Sequence, residues 1–425
     1  MLVWQFVFWS SLAVVIYSYI GYPLLLFLIR TLRKGDRHSY SEAYRPPVCL
    51  LISAYNEEKV LRKKIENSLG LNYPQDKLRI LVASDGSDDR TVAIAGDYAD
   101  LGVEVFHRPN RAGKSAVLNE VMNAITEEVV VFTDANSLFA EDAIEKIVSH
   151  FENPSIGCVV GKLRYVDKHT TSVSKGEGLY WRYEGLLSML ESSLGSVLVA
   201  NGSIFGIRRD LFTHLCPEVA NDFQLPIDIG SHGYGVVYEP GAVAFERSTI
   251  FWQEEFKRKV RIILRGLTGY SLMRGKLKGL RSFQFISHKL LRWLVGPLLF
   301  LTLLSNAMLA GESTFFTAAL VLQVVLYLAA LNGWRVRRTR KPHPLFYVPF
   351  YFTMVNLAAV VAVKKFLSGE RQSTWDKAES ARLSPVGSPG LGVVSELKPH
   401  FTRSPALRRS GGVEPSEITE KIAKS

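Results

Sequence analysis

Four long stretches of the chain carry no charged residue. One begins the chain and three lie in its last third, and the region between them mixes apolar and charged residues. These stretches are residues 1–29, 293–311, 313–334 and 342–363. A helix needs about 20 apolar residues to cross the hydrocarbon core of a bilayer. The pattern predicts a membrane protein with an N-terminal transmembrane helix at residues 1–30 and a C-terminal transmembrane region at residues 285–367.

The middle of the chain alternates between short apolar runs and segments with helical spacing. The runs at 46–54, 78–83, 103–106 and 129–133 predict buried strands, and the segments at 57–69, 91–99, 114–124 and 141–151 predict helices. Strands that alternate with helices in this way form a parallel, doubly wound sheet. We therefore predict an α/β domain over residues 45–275, with its ligands at the carboxyl ends of the strands.

The second half of this domain is less regular and contains two segments that are typical of membrane-surface helices. Residues 175–193 form a helical segment rich in aromatics, and residues 250–275 combine apolar and basic side chains. A basic amphipathic helix next to a membrane span favours an interfacial position, and a solvated helix face is the alternative. Short strands are predicted at 203–207 and 235–238.

The placement of the basic residues predicts the orientation of the protein. The net charge is 51 − 40 = +11, and five basic residues fall in Arg335–Lys341. Basic loops next to membrane spans are typical of the cytoplasmic side. We expect a multi-pass protein of the cell membrane, in a bacterium the inner membrane, with a cytosolic catalytic domain. Nucleic acid is disfavoured as a partner, because the basic residues cluster beside the spans.

Two segments near the C-terminus are predicted not to be ordinary spans. A full crossing by residues 342–363 would put the following lysines outside the cell, and Pro344 and Pro349 interrupt its start. We therefore predict a re-entrant or interfacial segment there. Residues 380–425 are rich in Ser, Pro, Gly and charge, which predicts a disordered tail.

Acidic residues stand at the ends of several predicted strands. Asp85 and Asp134 each follow an apolar run, Glu57 follows the first strand, and Asp222 lies in an Asn-Asp pair. Carboxylates in these positions would face the ligand crevice of a parallel sheet. The alternative is that they are ordinary turn and cap residues, but Asp85 and Asp134 together favour a functional site.

Two common nucleotide-binding motifs are excluded. Gly113, Lys114 and Ser115 suggest a phosphate loop, but the required glycine five residues earlier is Arg108. The first strand is followed by Tyr55-Asn-Glu57 without the glycine-rich turn of a dinucleotide site. Lys114 at a helix start could still contact a diphosphate.

The order of the motifs resembles the membrane-bound family 2 glycosyltransferases, which include cellulose, hyaluronan and poly-N-acetylglucosamine synthases. The resemblance extends over residues 48–270 and rests on six segments: 54–57, 84–89, 110–114, 132–136, 221–222 and 258–261. It implies the nucleotide-sugar-binding fold called GT-A, flanked by membrane helices.

The resemblance also implies roles for individual residues. It implies that the donor nucleotide is bound by Tyr55, Glu57, Asp85, Lys114, Asp134, Arg258 and Arg261. It implies Asp222 as the general base and a divalent metal, Mg²⁺ or Mn²⁺, at Asp134 and Asn136. Asn201, Gly202 and Trp181 are candidates for the sugar or acceptor pocket, and an ordinary turn and a membrane-docked helix are their respective alternatives.

Two departures from the family pattern affect the predicted function. Asn136 replaces the second carboxylate of the D-x-D motif, and Ile262 replaces the Trp of the Q-x-x-R-W motif, whose Gln is here Arg258. The resemblance implies inverting transfer from a nucleotide-diphosphate sugar, with UDP expected, to a lipid-linked or polysaccharide acceptor at the cytosolic membrane face.

Two alternatives remain open. One is a processive synthase that works with partner subunits or further copies of itself, and the loss of the Trp at Ile262 disfavours it. The other is a non-catalytic membrane scaffold with a degenerate site, which the departures at Asn136 and Ile262 would suit. The expected partners are the donor, the acceptor and membrane lipids.

Overall fold

Residues 1–32, 44–166, 171–337 and 342–372 are described by the computed structural model of the protein. The predicted tail at 380–425 and residues 338–341 of the basic loop lie outside these ranges. All strands and helices described below belong to the N-terminal compact unit, Met1–Val386.

The described strands form one mixed sheet in the order β3-β2-β1-β4-β7-β6-β8-β5. They are β1 (Val48–Ala54), β2 (Leu78–Asp85), β3 (Val103–Arg108), β4 (Val129–Asp134), β5 (Leu138–Phe139), β6 (Ile156–Tyr165), β7 (Phe205–Arg208) and β8 (Gly235–Glu246). Strands β1 to β4 pair in parallel, whereas β7 is antiparallel to both of its neighbours. The predicted α/β class with a mostly parallel sheet is confirmed.

The described α-helices cover the sheet and continue into the apolar segments. They are α1 (Leu2–Ile16), α2 (Tyr22–Leu32), α3 (Leu61–Leu69), α4 (Thr91–Gly96), α5 (Lys114–Val121), α6 (Ala143–Val148), α7 (Ser172–Ser192), α8 (Asn221–Ser231), α9 (Trp252–Met273), α10 (Gly279–Phe285), α11 (Leu291–Leu309), α12 (Thr314–Arg335) and α13 (Pro344–Leu367).

Strand β1 shows why the middle of the chain forms a sheet that is buried on both faces. Every residue from Val48 to Ala54 is buried. Successive side chains of a strand point to opposite faces: Val48, Leu50 and Ile52 join one apolar core, and Cys49 and Leu51 join the other. A strand that is covered on both sides has an uninterrupted apolar sequence, which is why it was predictable.

Strand β6 was not predicted, and β8 extends well beyond the predicted 235–238. Both strands carry charged residues in their second halves, such as Lys162 and Arg164 of β6. Their pairing is parallel, with register shifts beside Ile156 and Gly161. The irregular register and the charges hide the strand pattern in the sequence.

Four helical segments among the described residues are long and apolar enough to cross a membrane. They are Leu2–Leu32, Gly279–Leu309, Thr314–Arg335 and Pro344–Leu367. The last one corrects the expectation that prolines break this segment, because α13 runs without interruption for 24 residues. Pro344 occupies the first helical turn, where its missing N–H has no partner to lose, and Pro349 is accommodated inside the helix.

Helix α9 packs against α13 with the face that was predicted to lie in the membrane interface. Val260, Ile263 and Leu264 of α9 form one apolar cluster with Ala358 and Ala362 of α13. The small side chains of α13 allow the two helices to approach closely. Much of the apolar face of α9 is therefore covered by protein.

Candidate active site

The carboxyl ends of β1, β2 and β4 meet at one edge of the sheet. Ala54 of β1 pairs with Ser84 of β2, and Ser53 pairs with Asp134 of β4. The motifs that follow these strands are therefore neighbours in space. They border a cavity of about 630 Å³, whose lining includes Tyr55, Glu57, Lys114, Asp134 and Asn136.

Asp85 positions the loop that precedes α5. Its two carboxylate oxygens accept hydrogen bonds from the backbone N–H groups of Ala112 at 2.9 Å and Gly113 at 2.8 Å. The loop passes so close to β2 that a Cβ on Gly86 would lie 2.5 Å from the nitrogen of Arg111. Only glycine fits at that position, where φ is +68°.

The same loop brings Arg111 and Lys114 to the donor side of the cavity. The guanidinium carbon of Arg111 lies 4.0 Å from the ring centroid of Tyr55. Lys114 begins α5, and its Nζ lies 2.6 Å from Oδ1 of Asp134. Asp85 thus acts through the backbone of this loop, while Tyr55 and Lys114 face the cavity.

Gly202 is the point at which three charged side chains converge. A Cβ on Gly202 would lie 3.3 Å from Oδ2 of Asp134, 3.5 Å from Oδ2 of Asp222 and 3.8 Å from Nζ of Lys114. Asn201 braces this turn, because its Nδ2 donates to the carbonyl of Gly161 at 2.8 Å and its Oδ1 accepts from the N–H of Ile204. The geometry gives Asn201 the structural task of holding this turn.

Asp222 lies in the first turn of α8, beside the Gly202 turn. Its backbone carbonyl accepts a hydrogen bond from the N–H of Ala200 at 2.8 Å, which holds the two segments together. Burial raises the pKa of Asp222 above its ordinary value, while the charges of Lys114 and Arg265 oppose the increase. A carboxylate in this setting is more basic than an exposed one and is suited to accept a proton.

Arg258 occupies the cavity wall but is already paired with protein carboxylates. Its guanidinium binds Glu177 of α7 and Glu255 of α9 and donates to the hydroxyl of Tyr165 at 3.0 Å. Two carboxylates neutralise its charge, so the geometry does not support the predicted contact with the donor diphosphate. Arg261 lines the cavity, and its contact with the donor diphosphate stays a prediction.

Arg265 was missed by the sequence analysis, although it lines the same cavity. It lies seven residues after Arg258 and four after Arg261, which puts the three on one side of α9. Its Nε is buried and has no hydrogen-bond partner among the described residues. The spacing along the helix could have revealed it.

Lys64 and Glu246 support the Asp134 segment from behind and were also missed. Lys64 is fully buried, and its Nζ donates to the hydroxyl of Thr133 at 3.1 Å and to the carbonyl of Ser137 at 2.5 Å. Glu246 accepts hydrogen bonds from the hydroxyls of Ser137 and Ser203. Burial lowers the pKa of Lys64 to about 7. Both residues lie outside the six motif segments.

Comparison with known proteins identifies the family. The family model described as Glycosyl transferase family 2 matches residues 49–216, which carry the strands and motifs that border the donor side of the cavity. Residues 49–216 form a family 2 glycosyltransferase domain. Its strands place the motifs at the carboxyl ends of β1, β2 and β4.

Related proteins cover different parts of the chain. It is 27% identical over 238 residues to a probable glycosyltransferase, YdaM, of Bacillus subtilis (strain 168), covering 51% of this chain and 54% of that one. It is 22% identical to an N-acetylglucosaminyltransferase of Rhizobium sp. (strain N33), covering 88% and 87%. The alignments with the first curated relatives span about half of their length or less.

A solved structure has the same fold. The mannosyltransferase PcManGT from Pyrobaculum calidifontis, solved in complex with GDP-Man and Mn²⁺, superposes with a TM-score of 0.68. The superposition covers 86% of this chain and 99% of that one at 22% identity. At this identity the likeness concerns the fold alone, and it extends over the membrane-length helices as well as the catalytic domain.

The side chains of this family 2 glycosyltransferase offer a divalent metal few ligands of their own. Among the described residues, no three His, Cys, Asp or Glu side chains group together as a metal site. Asp134 supplies one carboxylate beside the amide of Asn136, and Lys114 competes for one of its oxygens. Mg²⁺ is often held by one or two carboxylates and substrate phosphates, so the residues fit a metal that the donor diphosphate helps to bind.

Trp181 lies on the other side of the cavity from the donor motifs, on α7. Its ring faces Tyr165 with 6.4 Å between the centroids, and its Nε1 is buried without a hydrogen-bond partner among the described residues. Asn221, next to Asp222, also lines the cavity with an unpaired Nδ2. Both groups are available to hydrogen-bond a substrate in this glycosyltransferase.

Proposed function

We propose that the protein transfers a sugar, with inversion, from a nucleotide-diphosphate sugar to a hydroxyl of a lipid-linked or glycan acceptor at the cytosolic membrane face. The donor is expected to be a UDP-sugar. The observation that carries the proposal is the convergence of Lys114, Asp134 and Asp222 around Gly202. One carboxylate with a raised pKa stands there beside a cation that suits a diphosphate.

The reaction needs three things from these residues. Asp222 takes the proton of the attacking hydroxyl as its oxygen bonds to the anomeric carbon. The bond from that carbon to the diphosphate oxygen breaks, and the nucleoside diphosphate leaves with the electron pair. Lys114 stabilises the negative charge that develops on the leaving group. A single base and a direct displacement invert the anomeric configuration.

A divalent metal would be held by Asp134, with Asn136 beside it, and would neutralise part of the diphosphate charge. Lys114 keeps the carboxylate of Asp134 in place, because the two side chains form an ion pair at 2.6 Å. Lys64 and Glu246 keep the segment that carries Asp134 rigid. Catalysis therefore depends on a preorganised edge of the sheet as well as on the base.

The test is nucleoside diphosphate release by the detergent-purified full chain with a panel of nucleotide sugars. Asp222→Asn should lower the rate by about 10² to 10⁴, the usual contribution of a general base, and should still bind the donor in calorimetry. Asp210→Asn is the matched control, since that side chain is 90% exposed. An Asp222→Asn enzyme as active as the control would contradict the proposal.

A processive synthase is the second candidate, and one observation favours it. The chain is 24% identical over 209 residues to a poly-β-1,6-N-acetyl-D-glucosamine synthase of Staphylococcus epidermidis. In this chain the cavity wall carries Ile262 instead of the aromatic residue expected for such a synthase. Product length on a gel separates the two candidates, because a processive enzyme yields a ladder of long products.

A further inference from the structure

The cavity does not end at the base but continues along α7. Six residues of this helix line it, on one face: Tyr180, Trp181, Glu184, Gly185, Ser188 and Glu191. At 1.5 Å per residue this face is about 16 Å long. The cavity is therefore elongated along α7. We call the part along α7 the far lobe and define it by Trp181, Gly185, Ser188 and Tyr238.

Membrane-length helices also line the cavity that contains the far lobe. Tyr19 lies in the segment Leu2–Leu32, Trp293 belongs to α11, and Val355 and Ala359 belong to α13. Three of the four segments long enough to cross a bilayer thus border the same cavity as Asp222. A molecule that reaches the base through the far lobe would pass between helices suited to lipid.

Beside the far lobe, the cavity lining contains two cations, Lys289 and Arg292, and two carboxylates, Glu184 and Glu191. Lys289 and Arg292 both bind the carboxylate of Glu184, Lys289 at 2.8 Å. Nδ1 of His288 lies 2.7 Å from the carboxylate of Glu191, which also accepts from the hydroxyl of Tyr22. A lobe with compensated charge gives little attraction to a phosphate.

The far lobe instead contains hydroxyl groups, aromatic rings and one hydrogen-bond donor that has no partner among the described residues. Ser188 and Tyr238 contribute hydroxyl groups, and Trp181 contributes a ring and a buried Nε1 without a partner among the described residues. A buried donor without a partner is unfavourable, and a ligand hydroxyl would accept its hydrogen bond. These groups suit an uncharged, polyhydroxylated ligand.

We propose that the far lobe binds the acceptor and that this acceptor is a membrane lipid with an uncharged, sugar-bearing headgroup. The inference rests on the proposed transferase function and specifies its acceptor. The headgroup lies along α7 with its attacking hydroxyl at Asp222, and its chains extend towards the membrane-length helices that line the cavity. A polyprenyl phosphate is disfavoured because Glu184 and Glu191 balance the charges of Lys289 and Arg292.

Two glycines of α7 provide a matched pair of variants. A Cβ on Gly185 would lie 3.2 Å from the hydroxyl of Tyr238, so Gly185→Leu fills the far lobe. A Cβ on Gly178 would have no atom of the described residues within 4 Å, so Gly178→Leu adds the same side chain in open space. Both changes raise the helix propensity equally, by roughly 1 kcal/mol.

The experiment measures nucleoside diphosphate release in phosphatidylcholine vesicles. The vesicles contain a neutral monoglycosyl diacylglycerol, a polyprenyl phosphate or no acceptor, and a fourth sample contains a soluble disaccharide as the acceptor. We expect the glycolipid alone to raise release by at least about tenfold over water, because a bound acceptor gains the advantage of proximity. Gly185→Leu should lose this increase. Gly178→Leu should retain it.

Three results would overturn the inference: equal stimulation by the polyprenyl phosphate, equal stimulation by the disaccharide, or a Gly185→Leu enzyme that still responds to the glycolipid. Glycolipid binding by native mass spectrometry, with the same variants, separates this inference from the transferase function. Binding lost only in Gly185→Leu without any turnover would leave the lipid site standing and refute the proposed reaction. Absence of binding and of stimulation together would refute the lipid site.

Discussion

Gly202→Ala is the most direct test of the proposed reaction centre, since it adds a single methyl group where the three charged groups converge. The new Cβ would lie 3.3 Å from Oδ2 of Asp134, which is a tight contact, and at ordinary distances of 3.5 Å and 3.8 Å from Asp222 and Lys114. A shift of a few tenths of an ångström by Asp134 relieves the tight contact. The fold should therefore tolerate the change, at a cost of about 1 kcal/mol or less.

The reaction should tolerate this change far less well. The methyl group occupies space between the base and the cation and excludes water or substrate from both. If it displaces the reacting groups by about 1 Å, the expected loss in kcat/KM is about 10²-fold, which corresponds to about 2.7 kcal/mol of transition-state stabilisation. Gly202→Val should be worse, because it extends two further carbons into the same space.

The assay compares kcat/KM for nucleoside diphosphate release with the thermal unfolding midpoint of the same preparations. Gly96→Ala is the control, because a Cβ there meets no atom of the described residues within 4 Å. We expect Gly202→Ala to unfold at nearly the wild-type temperature while it loses activity. If Gly202→Ala is as active as Gly96→Ala, the three groups do not share one reaction space, and the assignment of the centre is refuted.

Three further predictions concern the groups around this centre. Burial raises the pKa of Asp222 above 3.8, so kcat/KM should fall on the acid side with a midpoint above that value, and Arg265→Met should move it higher still; an unchanged midpoint argues against Asp222 as the base. Lys64→Met leaves the carbonyl of Ser137 without its hydrogen-bond donor at 2.5 Å. The change should cost about 1–3 kcal/mol of stability and raise the KM for the donor more than it lowers kcat. Asn136→Asp supplies a second carboxylate and should lower the Mn²⁺ concentration for half-maximal release; an unchanged titration argues against a metal at this position.

The sequence predicted the donor half of the fold well, because this half is built from strands that are buried on both faces. The apolar runs gave the bounds of β1, β2 and β4 to within two residues. Strands β1, β2 and β4 are parallel and in register, so the motifs that follow their carboxyl ends are neighbours. This is why Asp85 and Asp134 could be predicted together from the strand pattern, whereas the roles of Tyr55 and Lys114 were implied only by the resemblance to family 2 glycosyltransferases.

The other half of the cavity could not be predicted in the same way, because it depends on contacts between distant parts of the chain. Arg258 stands where the family motif predicts a diphosphate contact, yet Glu177, 81 residues earlier, binds its guanidinium. No local sequence pattern predicts an ion pair between residues so far apart in the chain. Arg265, by contrast, was within reach of sequence reasoning, because it follows Arg261 by one helical turn.

The ion pairs of Arg258 have a consequence for how the protein works as a whole. Glu255, one of its partners, also accepts a hydrogen bond from the hydroxyl of Tyr351 at 2.7 Å, and Tyr351 belongs to α13. Breaking such a buried network by removing one partner leaves an uncompensated charge, which is costly. The wall of the cavity on α9 is therefore fixed to α13 by the hydrogen bond from Tyr351 to Glu255, in addition to the apolar cluster that joins α9 and α13. A catalytic domain without these helices would retain the donor motifs but lose the support of the wall that carries Arg261 and Arg265, so the site and its membrane-length helices form one functional unit.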